Sequence, residues 1–251
     1  MKKLMITLVA TFGVATSYIP FENKNTVPKD KISTSEITSV NSSYLNKEKL
    51  SSAENLYKSL DFKGGNILQY DVFEKAINGF HQLKESGKLK ATSELLTICD
   101  FSLSSNEKRL WIINTVTGEI LFNTLVAHGK NTGEEFAEKF SNTESSLQSS
   151  MGFYITDQTY FGENGYSLRL RGMDAGYNDA AERRAVVMHG ADYVSEEFTK
   201  KHGRIGRSWG CPAIPRALAK SIIDTIKEEN CLFIYYPDQE YLSSSQWLKT
   251  V

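Results

Sequence analysis

The sequence predicts an α+β protein, mainly β in its C-terminal part, built as a sandwich or barrel behind an N-terminal helical segment. Three observations predict it. From Glu94 onward, short apolar or β-branched runs recur between turn residues. Two amphipathic stripes precede them, and one late stripe of period four follows Pro215, after the last chemistry-bearing motif.

Residues 1–17 are expected to be an export signal. Lys2 and Lys3 give the positive start, Leu4 to Ile19 the apolar stretch, and Ala15 and Ser17 the small residues of a cleavage site before Tyr18. That stretch is short for a membrane span, so no stable insertion is expected after cleavage. Residues 18–46 are rich in Lys, Asn, Ser and Thr and read as a flexible linker. The helical segment is placed at 47–90. Ser51 with Glu54 forms a capping box ahead of the stripe Leu50, Ala53, Tyr57 and Leu60. Asp71 with Glu74 repeats it ahead of Phe73, Ile77, Phe80 and Leu83, with Gly64-Gly65 between the two helices.

The catalytic domain is placed at 91–242 and a tail at 243–251. Strands are expected at 95–101, 110–114, 119–127, 152–156, 166–171, 184–189 and 232–236. Val116-Thr117-Gly118 marks a hairpin between the second and third. A short helix capped by Asn178 is expected at 179–182, and a longer one after Pro215 with Leu218, Ile222 and Ile226 on one face.

A net charge of −1 over 251 residues removes the electrostatic case for a nucleic-acid partner. Four dispersed histidines make no zinc pattern, so no metal is expected. Of three cysteines, Cys99 and Cys231 lie in apolar runs and read either as buried small side chains or as a pair. Cys211 differs, lying in Arg207-Ser208-Trp209-Gly210-Cys211-Pro212, downstream of Val186-Val187-Met188-His189-Gly190.

A free thiol is mostly protonated at neutral pH and attacks poorly; a histidine that takes its proton corrects this. His189, read at the end of a strand, is placed to do so, with Gly190 after it leaving room for substrate. The main chain from Trp209 to Cys211 offers N–H donors for an oxyanion, and Gly210 allows the dihedrals such a turn requires. The chemistry implied is acyl transfer through a thioester. It needs no cofactor.

His-Gly followed about twenty residues later by Ser-x-Gly-Cys resembles the murein L,D-transpeptidase (YkuD-type) catalytic-domain family. The common form carries a second histidine where this chain has Trp209. With Ser-Trp-Gly-Cys-Pro the chain looks like a divergent branch, as do Ala127-His128-Gly129, Ser149-Ser150-Met151-Gly152 and Gly165-Tyr166-Ser167-Leu168. The resemblance spans about 92–242. It implies Cys211 as nucleophile, His189 as general base, Gly190 main chain orienting His189, and Ser208 with Gly210 shaping the oxyanion pocket. It implies peptidoglycan stem peptides as partners, 3→3 cross-linking as the activity, and the periplasm or cell envelope of a bacterium as the place.

Arg207, His128 and Trp209 are expected to touch substrate, Arg207 through a stem carboxylate. Arg183 and Arg184 are read as edge decoration, His202 as a stand-in for the replaced histidine or an exposed loop residue, and His81 as structural. Two alternatives stay open: an L,D-carboxypeptidase or endopeptidase using the same Cys-His site, and an inactive wall-binding protein.

Overall fold

The computed structural model describes residues 52–249. The expected signal, the linker and the capping residue Ser51 lie outside them. Helix α1 covers 52–59, and α2 runs from Tyr70 to Glu85. Eight strands follow: β1 (Leu95–Asp100), β2 (Leu110–Asn114), β3 (Ile120–Thr124), β4 (Gly152–Gly162), β5 (Gly165–Gly172), β6 (Val187–Ala191), β7 (Ala213–Pro215) and β8 (Cys231–Tyr235). Between and after them come α3 (Glu196–His202), α4 (Arg216–Ile226) and α5 (Gln239–Ser244).

All eight strands form one sheet in the order β3-β2-β1-β8-β4-β5-β6-β7. The β1/β8 and β6/β7 pairs are parallel and the rest antiparallel. The chain leaving β3 bridges to the opposite end of the sheet, Ala127 to Ala213 and Gly129 to Ser208. The sheet is therefore nearly closed into a barrel, which leaves little unpaired edge.

Alternation along the strands divides the core. Leu96, Ile98, Phe153 and Phe233 face α2 and bury Phe73, Ile77, Phe80 and Leu83 of its stripe. Cys99, Leu168, Met188, Leu232 and Ile234 face the other way, where Ala219, Ile222, Ile223 and Ile226 of α4 cover them. Helix α2 thus shares a core with the sheet. Cys99 and Cys231 fall on opposite faces, each buried and each a free thiol, so they do not pair.

Several local expectations are corrected. Gln69, not Asp71, precedes α2; Asp71 lies in the first turn, where it suits the helix dipole and pairs with Lys75. On α4, Leu218 sits at the exposed margin, and Ala219 and Ile223 complete the buried face. Residues 179–182 form turns rather than a helix; Asn178 instead uses its amide to hold Asp174 N–H and Phe153 C=O. Strand β6 begins at Val187, three residues later than the apolar run suggests. Ala185 adopts a left-handed conformation (φ 52°) that ends those turns, with Val186 N–H bonded to Ala181 C=O. His189 therefore sits in the middle of β6, not at its end.

Candidate active site

Three backbone segments stack to make the turn that carries Cys211. Ser208 Oγ donates to Cys211 C=O (2.6 Å) and accepts from Gly210 N–H (3.1 Å), closing the turn on itself. Ser149 Oγ donates to Gly210 C=O (3.2 Å) and accepts from Gly129 N–H (3.0 Å), tying in the other two segments. Gly210 has φ 125°, and a Cβ there would lie 2.7 Å from Gln148 C=O, so no other residue fits. Its N–H is occupied by Ser208, so Gly210 shapes the turn and leaves oxyanion donation elsewhere. Among the described residues, none accepts from the Cys211 N–H.

The Cys211 sulfur is half-buried and free. The parallel register sets Ala213 beside His189, so Cys211, two residues earlier, comes beside Val187. The Val187 N–H points at the sulfur (3.5 Å), and the Ala185 carbonyl, aimed by that residue's left-handed backbone, lies 3.9 Å from it. Burial pushes the Cys211 thiol above its ordinary pKa; the Val187 N–H and the Arg184 guanidinium pull it partly back.

His189 is 4% exposed, and its Nδ1 lies 3.3 Å from the Gly190 carbonyl. A carbonyl only accepts, so Nδ1 carries the proton and Nε2 is left as the basic nitrogen. Burial holds the imidazole below its ordinary pKa, opposed by the Gly190 carbonyl, and Arg216 lowers it further. A raised thiol and a lowered imidazole leave the proton on sulfur at neutral pH. The pair rests neutral.

The expected free space after Gly190 is filled by α4. A Cβ there would lie 2.7 Å from Ala219 Cβ and 3.2 Å from Arg216 Cα, so the glycine admits a helix and not substrate. Trp209 is 79% exposed beside the cysteine turn, available to a ligand. Arg207 is tied down instead: its Nη1 donates to Lys130 C=O, Gly133 C=O and Glu134 Oε1. His128 is 1% exposed and turned into the core, corrected from a place on the pocket wall. Its Nδ1 accepts from Arg109 (2.7 Å) and its Nε2–H faces Gly133 C=O (3.3 Å). The expectation that His202 stands in for a second histidine has no contact to rest on; its ring packs on Phe198 within α3.

Arg184, read as edge decoration, is a hub. It donates to Ser141 C=O (2.6 Å), Gln148 C=O (2.7 Å), Ser146 Oγ (3.1 Å) and Ser150 Oγ, pinning residues 141–150 beneath the cysteine turn. Tyr193 is half-buried near the sulfur; burial first, then Cys211, pushes its phenol up to about 12. Arg184 carried no sequence signal for this role, because it acts through loops whose packing no periodicity encodes, whereas Tyr193 is one of three tyrosines, with Tyr154 and Tyr160, that the sequence offers either as groove lining or as half-buried sheet residues. Among the described residues no cluster of His, Cys, Asp and Glu is arranged to hold a metal ion.

Residues 65–235 match the family described as L,D-transpeptidase catalytic domain. The chain belongs to that family. This L,D-transpeptidase-type domain takes in α2 as well as the sheet. Solved structures it is similar to include an L,D-transpeptidase from Mycobacterium smegmatis, 14% identical with a TM-score of 0.35 over 57% of this chain and 59% of that one. Another, from Mycobacterium tuberculosis H37Rv, is 12% identical with a TM-score of 0.33, covering 57% of this chain and 58% of that one. A third, from Xylanimonas cellulosilytica, is 13% identical with a TM-score of 0.33, covering 75% of this chain and 93% of that one. The chain thus spans under two thirds of the mycobacterial proteins. No curated protein matches it.

Proposed function

We propose that the chain is a cysteine-nucleophile L,D-transpeptidase acting on peptidoglycan stem peptides outside the cytoplasm. The observation that carries the reading is the adjacency of a free, half-buried sulfur to the β6/β7 pair on which His189 presents a base-competent Nε2. Substrate entry brings a carbonyl carbon to the sulfur. His189 takes the thiol proton as the S–C bond forms, so charge appears only when the electrophile is present. The oxyanion lies against the Cys211 N–H, a donor without a partner among the described residues. His189 then returns its proton to the departing amine, leaving a thioester on Cys211. An amine of a second stem then attacks that thioester; His189 takes the amine's proton and passes it to the sulfur as the C–S bond breaks, giving a 3→3 cross-link and the free Cys211 thiol. Trp209, exposed beside the turn, offers an apolar plate to the stem.

A carbapenem tests the nucleophile: one mass adduct is expected, absent in Cys211→Ala, and no adduct on the unaltered chain contradicts the reading. Incubation with a disaccharide tetrapeptide tests the acceptor. Cross-linked dimers are expected; tripeptide alone would mean that water, not an amine, resolves the thioester.

A further inference from the structure

Apart from the cysteine turn, the chain leaving β5 and the end of α5 enclose a cavity of about 340 Å³. It is lined by Asp174, Ala175, Tyr177, Ser244, Ser245 and Gln246. That volume lies within the range of small-ligand sites. None of these residues is among those placed around Cys211.

Asp174 is the one charged residue of the lining, and it is 2% exposed. Its Oδ2 accepts from Phe153 N–H (2.7 Å) and from Tyr241 Oη (3.4 Å), and its Oδ1 from Ser245 Oγ. Those bonds tie β4 to α5. Among the described residues no cation pairs with it. Burial pushes its carboxyl above the ordinary carboxylate pKa, and the three hydrogen bonds pull it partly back. A carboxylate buried without a counter-charge is a standing cost that an incoming cation removes.

The hydroxyl hydrogens of the lining are already spent. Ser245 gives its hydrogen to Asp174. Ser244 Oγ lies 3.4 Å from Tyr241 C=O, which only accepts, so its hydrogen points there. Tyr177 Oη, 3.0 Å from Ser244 Oγ, is then the donor of that pair. The hydroxyl and carboxylate oxygens are left with lone pairs and no hydrogens to offer. The Gln246 amide, exposed at the rim, can add a further oxygen.

We propose that this cavity binds a primary ammonium group, carried by a small free amine or by a lysine side chain. An ammonium brings three hydrogens to those lone pairs and the counter-charge that Asp174 lacks. The Tyr177 ring adds an aromatic surface, which attracts cations. A guanidinium fits less well, because its fork needs two open carboxylate oxygens and both are engaged. An anion would meet the charge of Asp174, and a neutral alcohol would leave that charge unmatched. The site is independent of the acyl-transfer reading above.

Calorimetry on the full chain tests it with three probes: cadaverine, Nα-acetyl-lysine amide, and pentanediol, which copies the diamine without its charge. At least one amine is expected to bind about ten-fold more tightly than the diol. Cadaverine alone assigns a free amine, the lysine compound alone assigns a side chain, and both together assign the ammonium itself. Asp174→Asn should erase the preference, but it also alters the tie between β4 and α5. Two substitutions at exposed lining positions avoid that problem. Ala175→Leu is expected to fill the cavity and abolish amine binding while the melting temperature stays near that of the parent. Gln246→Lys is expected to seat a tethered ammonium beside Asp174, abolishing binding of added amine and raising the melting temperature. No preference over the diol in the unaltered chain, or a preference that survives both substitutions, overturns the proposal and leaves Asp174 a structural tie.

Discussion

The chain has the same dipeptide in two comparable places: His128-Gly129 follows β3, and His189-Gly190 lies in β6. In each, the ring is almost fully buried and held below its ordinary pKa chiefly by burial. The difference is in the partners. His128 has both nitrogens engaged, one accepting from Arg109 and the other donating to Gly133, and it sits at about 3. His189 has one nitrogen fixed by its own neighbour's carbonyl and the other left basic, beside a strand that leads to a thiol. The glycines differ too: Gly129 lets Leu147 C=O and the Gly210 backbone approach, while Gly190 lets α4 approach. Burial alone does not make a histidine structural or catalytic. Of these two rings, only His189 keeps a nitrogen without a partner among the described residues, which is what the proposed base role requires.

Exchanging the two rings breaks the comparison most visibly. His189→Ala is expected to lower turnover by at least about 100-fold while the melting temperature changes little. His128→Leu is expected to do the reverse, costing about 2 kcal/mol of stability because the buried Arg109 loses an acceptor, with turnover per folded molecule near that of the parent. Denaturant melts beside turnover assays decide it. Equal catalytic losses in both variants would erase the distinction.

Acid sharpens it next. His128 titrates at about 3 in the fold and near 6.5 when unfolded, so below about 6.5 the unfolded chain binds the extra proton. The stability from burying it neutral is complete above that pH and lost as pH falls toward 3, by about 1.4 kcal/mol per unit. Unfolding free energies from pH 6.5 to 4.5 should therefore fall less steeply in His128→Leu than in the parent. Parallel slopes would contradict the assignment. For His189 the depressed pKa means that activity should persist somewhat below pH 6.5 before its acid limb.

The smallest effect belongs to Arg184. Its guanidinium lowers the Cys211 thiol pKa against the larger effect of burial. Arg184→Gln should move the pH midpoint of Cys211 alkylation upward, and Arg184→Lys should return part of the shift, since charge is restored but the fork is not. No movement in either variant would make Arg184 a loop clamp only.

What could be read ahead of the structure follows from where the information lies. Period-two and period-four patterns placed the β1–β3 hairpins, the α2 stripe and α4, because burial against one core imposes those periods. The Ser208–Pro212 turn and His189 were singled out because a thiol in a Gly-Cys-Pro turn, downstream of an imidazole on an apolar run, suggests a nucleophile and its base. The Arg184 hub was not. Its role depends on loop 141–150 and on the left-handed turn at Ala185, which ends an apolar run that otherwise reads as strand. Likewise His128 looks like His189 in sequence, because only the fold brings Arg109 to its side.

The most direct measurement is to quench the protein with acid during reaction with a disaccharide tetrapeptide and to locate the covalent intermediate by mass. The account predicts a tripeptidyl acyl group on the peptide containing Cys211, released by hydroxylamine and accumulating when the acceptor amine is withheld. Turnover with no acyl group on Cys211 under those conditions, or with the acyl group on another residue, would contradict it.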